Sequence, residues 1–123
     1  MALMRPVLRA HGVSEQQWRI LRALSRTEPL DKTSLSARAM LLMPSLLRML
    51  KELERLGFVS SVPAPGNRRM QRILLTSDGA RLVRRVSADI EKKNLEIRQI
   101  AGAALVDDIT RALNLLQARL LMA

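Results

Sequence analysis

No cysteine and no tyrosine occur in this 123-residue chain, which has a single histidine (His11), a single tryptophan (Trp18) and a single phenylalanine (Phe58). Without Cys there is no disulfide and no thiolate metal site, and a reducing cytoplasm is the expected location. One imidazole, with no phenol and no thiol, leaves few candidates for a nucleophile or general base. Asp107 and Asp108 are sequence neighbours that point apart on a helix, so they do not make a paired-carboxylate site. Gly-rich phosphate loops and His-rich metal spacings are also missing, so neither catalysis nor a bound cofactor is expected. No apolar run approaches the roughly 20 residues of a spanning helix. Met1–Ala10 lacks the apolar core of a signal peptide. With so few aromatic rings the core must be built from Leu, Ile, Val, Met and Ala, which favours helices over sheets.

Positive charge is abundant. Lys and Arg number 21 against 11 Asp and Glu, a formal net charge of +10. In a chain of one domain's length, such an imbalance points to a polyanionic partner, either nucleic acid or a membrane surface.

The segment order is a mainly helical α+β pattern. Met1–Ala10 holds the end of a helix broken at Pro6, or a helix beginning near it, and His11-Gly12 closes it. Ser14 with Gln17 three residues later forms a capping box for a helix that buries Trp18, Ile20, Leu21 and Leu24 and stops before Glu28-Pro29. Asp31 or Thr33 caps the next helix, with Leu35, Ala39 and Met40 facing inward. Leu42-Met43-Pro44 is a turn, and Pro44 suits the first position of the following helix. From Pro44 to Leu56, at 100° per residue, Leu46, Met49, Leu50, Leu53 and Leu56 fall on one side and Arg48, Lys51 and Arg55 on the other. Gly57 ends that helix. Phe58–Val62 and Arg69–Leu75 are expected to be strands around a loop, Pro63–Arg68. Thr76 caps a long helix on which Gly79, Val83, Val86, Ile90, Ile97 and Ile100 recur. Gly102 breaks it from a last helix, roughly Ala104 to Leu121, striped with Leu105, Ile109, Leu113, Leu116 and Leu120.

Helix, tight turn, basic-faced helix and basic-tipped hairpin, in that order, make a winged helix-turn-helix spanning residues 14–79. The expected DNA contacts are Ser34, Pro44, Ser45, Arg48, Lys51 and Arg55 on the helices, and Asn67, Arg68, Arg69 and Arg72 on the wing. Arginine can fork onto a guanine or clamp a phosphate, and a Ser near a helix start can add a hydroxyl or amide contact to phosphate. Residues 1–11 and 80–123 are left for a helical dimerisation region. Its leucines would form a large apolar patch on a monomer, so a homodimer is expected over a tail folded back on its own head. The competing reading is a non-specific basic module for DNA architecture or a membrane surface. The spread of cations over several elements, Arg81, Arg84, Arg85, Lys92 and Lys93 included, argues against a membrane-surface helix.

A ligand site is also foreshadowed. Trp18 and Arg22 lie one turn apart on one helix side, with His11 just before that helix; an indole, a guanidinium and an imidazole can hold an aromatic carboxylate. The bland alternative is that Trp18 is a core anchor, Arg22 a surface cation and His11 a helix-end residue.

The run Ser14-Glu-Gln-Gln-Trp-Arg-Ile-Leu-Arg-Ala-Leu, the run Pro44-Ser-Leu-Leu-Arg through Leu53-Glu-Arg-Leu-Gly-Phe-Val, then Asn67-Arg-Arg and Leu75-Thr-Ser-Asp-Gly, together resemble the MarR family of bacterial transcription regulators. Within that family the chain is similar to regulators of aromatic-acid (homoprotocatechuate) degradation operons, through Arg5-Pro-Val-Leu-Arg-Ala-His-Gly and Glu15-Gln-Gln-Trp-Arg. The resemblance implies a two-fold winged-helix dimer, a repressor, on a pseudo-palindromic duplex operator. It also implies that a small phenolic or aromatic acid weakens DNA binding, through a pocket between the dimer helices and the head. Two departures stand out. Asn67 replaces the usual wing Asp, so it can bond the wing backbone but not form a salt bridge. Fewer residues than usual precede Arg5-Pro6, so either the sequence starts late or the dimer leans on its last two helices.

Overall fold

A computed structural model describes residues 4–26 and 28–122; residues 1–3 of the expected dimerisation segment lie outside these. The order is α1 (Arg5–Ala10), α2 (Glu15–Ser25), β1 (Leu30–Asp31), α3 (Lys32–Ala39), α4 (Met43–Arg55), β2 (Val59–Ala64), β3 (Asn67–Leu75), α5 (Ser77–Ala101) and α6 (Ala103–Met122). Two compact units result, one running to Ala88 and one from Asp89 onward. The first unit therefore takes in the opening turns of α5.

Helix boundaries follow the capping chemistry. The Ser14 hydroxyl accepts from the Gln17 amide at 3.1 Å while the Gln17 side chain accepts from the Ser14 amide at 3.0 Å, so both ends of the capping box close. The α2 helix buries Trp18, Ile20, Leu21 and Leu24, the expected four. Asp31, not Thr33, caps α3, its carboxylate accepting from the Ser34 amide at 2.6 Å. Met40 was expected to face inward, but it is 78% exposed. It is the C-cap of α3 in the left-handed conformation (φ 57°, ψ 46°), which swings its side chain off the buried face.

In α4 the leucines at 46, 50 and 53 are buried and Met49 is half-buried. Leu56 departs from the expected stripe: at the C-cap, where the helical periodicity ends, it is 44% exposed. Pro44 falls in the second position of α4 after the N-cap Leu42 and Met43, one later than expected, where its missing amide is still harmless.

The hairpin is longer and its turn tighter than the sequence suggested. Strands β2 and β3 pair from Val59↔Leu75 out to Ala64↔Asn67, so the expected loop Pro63–Arg68 shrinks to Pro65-Gly66. Proline followed by Gly66 at φ 75° suits a type II turn, and the register slips between Pro63 and Ala64. A two-residue strand that periodicity could not reveal, β1, pairs Leu30↔Ile73 and Asp31↔Arg72, giving an antiparallel sheet β1-β3-β2. Ile73 and Val59 anchor the sheet in the core beside Leu35, Leu46 and Leu53.

Thr76 fastens α5 to this sheet. Its hydroxyl donates to the Gly57 carbonyl at 2.6 Å and accepts from the Gly79 amide at 3.1 Å, and its amide donates to the Phe58 carbonyl at 3.1 Å. The end of α4 and the start of α5 are thereby tied at one residue. Gly79, Leu82, Val83 and Val86 of α5 are buried.

In the second unit Gly102 (φ 87°) separates α5 from α6, and Arg98 of α5 bridges the break to Asp107 of α6 through bonds of 2.7 and 3.3 Å. No residue of α6 is buried in the single chain.

Candidate nucleic-acid interface and cavity

The buried leucines of α4 fix which of its side chains face outward. With Leu46, Leu50 and Leu53 on the core, residues 44, 48, 51 and 55 form an opposite ridge at spacings of four, three and four. Pro44, Arg48, Lys51 and Arg55 are all exposed. Arg55 is partly spoken for: its Nη2 and Nε donate to the two Glu52 carboxylate oxygens at 2.6 and 3.1 Å. That pairing raises the Arg55 guanidinium above its ordinary range and holds Glu52 below its own. Among the described residues Arg48 and Lys51 enter no ion pair, so their charges face solvent undiminished.

The two serines near helix starts differ. At Ser34 the amide is consumed by the Asp31 carboxylate, which is lowered chiefly by that bond, then by the Ser34 hydroxyl and in smaller part by Arg72. Ser34 is thus engaged in its own helix cap. Ser45, half-buried, follows an apolar N-cap, Leu42, that makes no side-chain cap bond, so the first turn of α4 keeps amides for an outside acceptor.

On the hairpin, Asn67, Arg68 and Arg69 stand exposed next to the two-residue turn. The Asn67 side-chain oxygen Oδ1 accepts from the Arg69 backbone amide at 3.1 Å, a local turn that orders the tip without a carboxylate. Arg72 stands apart from this trio, at the root of the hairpin, between Asp31 on one neighbouring strand and Val62 on the other.

A concave space of about 530 Å³ opens between α2 and α3, lined by Glu15, Trp18, Arg19, Arg22, Arg26 and Arg38. It brings Trp18 and Arg22 together as the sequence suggested. His11 is not in this lining; it is the C-cap of α1. Trp18 is only 3% exposed, so it serves as core anchor and cavity wall at once. Sequence reasoning missed Arg19, Arg26 and Arg38. Arg19 and Arg26 share a helical stripe with Arg22, a visible spacing, whereas Arg38 reaches the cavity only through the packing of α3 on α2. The Arg19 Nε is buried with no hydrogen-bond partner among the described residues. The cavity is therefore an indole wall rimmed by four guanidiniums, a chemistry that suits an aromatic anion.

The family profile described as "MarR family" matches residues 13–70. The Escherichia coli protein named homoprotocatechuate degradative operon repressor is 34% identical over 113 residues, covering 92% of this chain and 76% of that one. The crystal structure of the transcriptional regulator PA4135 superposes with a TM-score of 0.82 at 33% identity, covering 96% of this chain and 87% of that one. NadR in complex with 4-hydroxyphenylacetate superposes at 0.75 with 28% identity, covering 94% and 82%.

Proposed function

The chain belongs to the MarR family of transcriptional regulators, and we propose from that premise that it is a cytoplasmic, sequence-specific repressor of an operon for aromatic-acid degradation. It binds as a homodimer to a pseudo-palindromic duplex and is released by a small aromatic carboxylate. The observation that carries the DNA-binding half is the exposure of Arg48 and Lys51 on α4, in no ion pair among the described residues and set opposite three buried leucines. That helix enters a major groove, where Arg48 reads a base edge and Lys51 supports it. Pro44, Ser45 and the first-turn amides of α4 approach the backbone. Asn67, Arg68 and Arg69 carry the wing onto flanking phosphates. Ser34 helps hold the start of α3 in place, and Arg55 and Arg72 add charge at the margin.

The exposed face of α6 supports the dimer. Leu105, Ile109, Leu113, Leu116 and Leu120 are each more than half exposed in one chain, a continuous apolar stripe that a second copy covers. The cavity of Trp18 and Arg22 supports an effector site there, as does the likeness to NadR, which was crystallised with 4-hydroxyphenylacetate.

Fluorescence anisotropy with a selected duplex and a scrambled one tests the DNA assignment. Arg48→Ala should cost roughly 1–3 kcal/mol on the selected duplex and little on the scrambled one. Arg69→Ala should weaken both and flatten the salt dependence. Equal losses for Arg48→Ala on the two duplexes would favour a non-specific basic module instead.

A further inference from the structure

The α2–α3 cavity holds more positive charge than one carboxylate can answer. Arg19, Arg22, Arg26 and Arg38 line it, and none of them forms an ion pair among the described residues. The one acidic lining residue, Glu15, lies 3.7 Å from Arg5 of α1 and is engaged there. Arg19 and Arg22 of α2 and Arg26 at its C-cap sit three and four residues apart, a spacing at which like charges repel. The Arg19 Nε adds a buried donor without an acceptor.

We propose that this cavity selects an aromatic acid bearing two anionic groups, and that the second anion, on Arg38, is what couples the ligand to the helix-turn-helix. The inference rests on the cavity being the effector site proposed above. The first anion lies beside Trp18 in the reach of Arg22, with Arg19 donating to it. The second spans to Arg26 and Arg38. Arg38 belongs to α3, the first helix of the helix-turn-helix, whose Leu35 and Ala39 are packed in the core. A ligand held on α2 alone leaves α3 as it was. A ligand held on both helices favours whichever α2–α3 arrangement brings Arg26 and Arg38 to its second anion, and can shift DNA affinity only through that preference.

The test uses phenylacetate and 1,4-phenylenediacetate as matched probes, followed by Trp18 fluorescence and calorimetry on the full chain, with operator-duplex binding measured in parallel. The diacid should bind roughly tenfold or more tighter than the monoacid. Its advantage should shrink with added salt more than monoacid binding does. Arg38→Gln should remove most of the diacid's advantage, cost the monoacid far less than it costs the diacid, and abolish the diacid's effect on DNA binding. Arg22→Gln should weaken both acids. Equal affinities for the two acids would overturn the inference while leaving the effector site in place, as would an Arg38→Gln loss of ligand-free DNA affinity with the diacid preference intact, which would mark a phosphate contact. Failure of both acids to bind would overturn the effector site itself.

Discussion

Gly79→Ala should destabilise the first unit by about 2 kcal/mol, against the direction that helix propensity alone would give. Gly79 sits in the first turn of α5 with ordinary helical backbone, so an alanine there gains about 1 kcal/mol of propensity. The added methyl, however, has nowhere to go. It would stand 3.0 Å from the Phe58 carbonyl carbon and 3.2 Å from Leu75 Cδ2, with the Phe58 carbonyl oxygen closer still. The obstacle is backbone, so no rotamer change relieves it. Overpacking of this kind costs about 1–3 kcal/mol or more. Pushing Phe58 away also strains the bond its carbonyl accepts from Thr76, a loss of about 1 kcal/mol. The clash and the lost bond outweigh the propensity gain. For a domain of this size the melting temperature should fall by roughly 8 °C, read by far-UV circular dichroism and checked by urea unfolding. A variant that melts at or above the parent would show that α5 does not press on the Phe58 carbonyl, and the account of how α4, the hairpin and α5 meet would fail.

Two further outcomes follow from the second unit. Leu116→Glu should raise the dimer dissociation constant by roughly a hundredfold or more, because it buries an unpaired charge; sedimentation showing an unchanged dimer would remove α6 from the interface. Hydrogen bonds from Arg98, then its charge and that of Arg111, hold the Asp107 carboxyl below the usual carboxylate range. A carboxyl lowered on folding stabilises the fold above its unfolded-state titration, and that contribution is lost as pH falls through the folded-state one. Both groups are exposed, so the effect is small. Urea midpoints of the parent should therefore exceed those of Asp107→Asn at neutral pH and converge with them in acid; a gap independent of pH would refute the pairing.

The sequence was most legible where one local rule decides the outcome. The Ser14–Gln17 capping box, the four buried residues of α2, the leucines of α4 and the break at Gly102 all follow from capping or from a 3.6-residue period. It was least legible where tertiary geometry overrides a local pattern. Met40 continues the apolar spacing of α3, yet a left-handed C-cap turns it to solvent. Leu56 continues that of α4, yet the helix ends there. Two residues cannot announce a strand, so β1 emerges only when Leu30 and Asp31 find Ile73 and Arg72. The same division holds for the site: Arg48, Lys51, Trp18 and Arg22 are visible from spacing, whereas the pairing of Arg55 with Glu52, the use of Ser34 as a capped amide and the arrival of Arg38 at the cavity depend on side chains that meet in the fold.

Selection of bound duplexes from a random pool by the full chain, at near-physiological salt, tests the central claim most directly. The bound pool should become enriched in a pseudo-palindrome whose half-sites lie about one helical turn apart, matching two copies of α4 related by a two-fold axis. Arg48→Ala should relax the preference at the position that Arg48 reads, while Arg69→Ala should enrich the same sequence more weakly. A pool that stays random after repeated selection, with affinity set by salt alone, would contradict the claim.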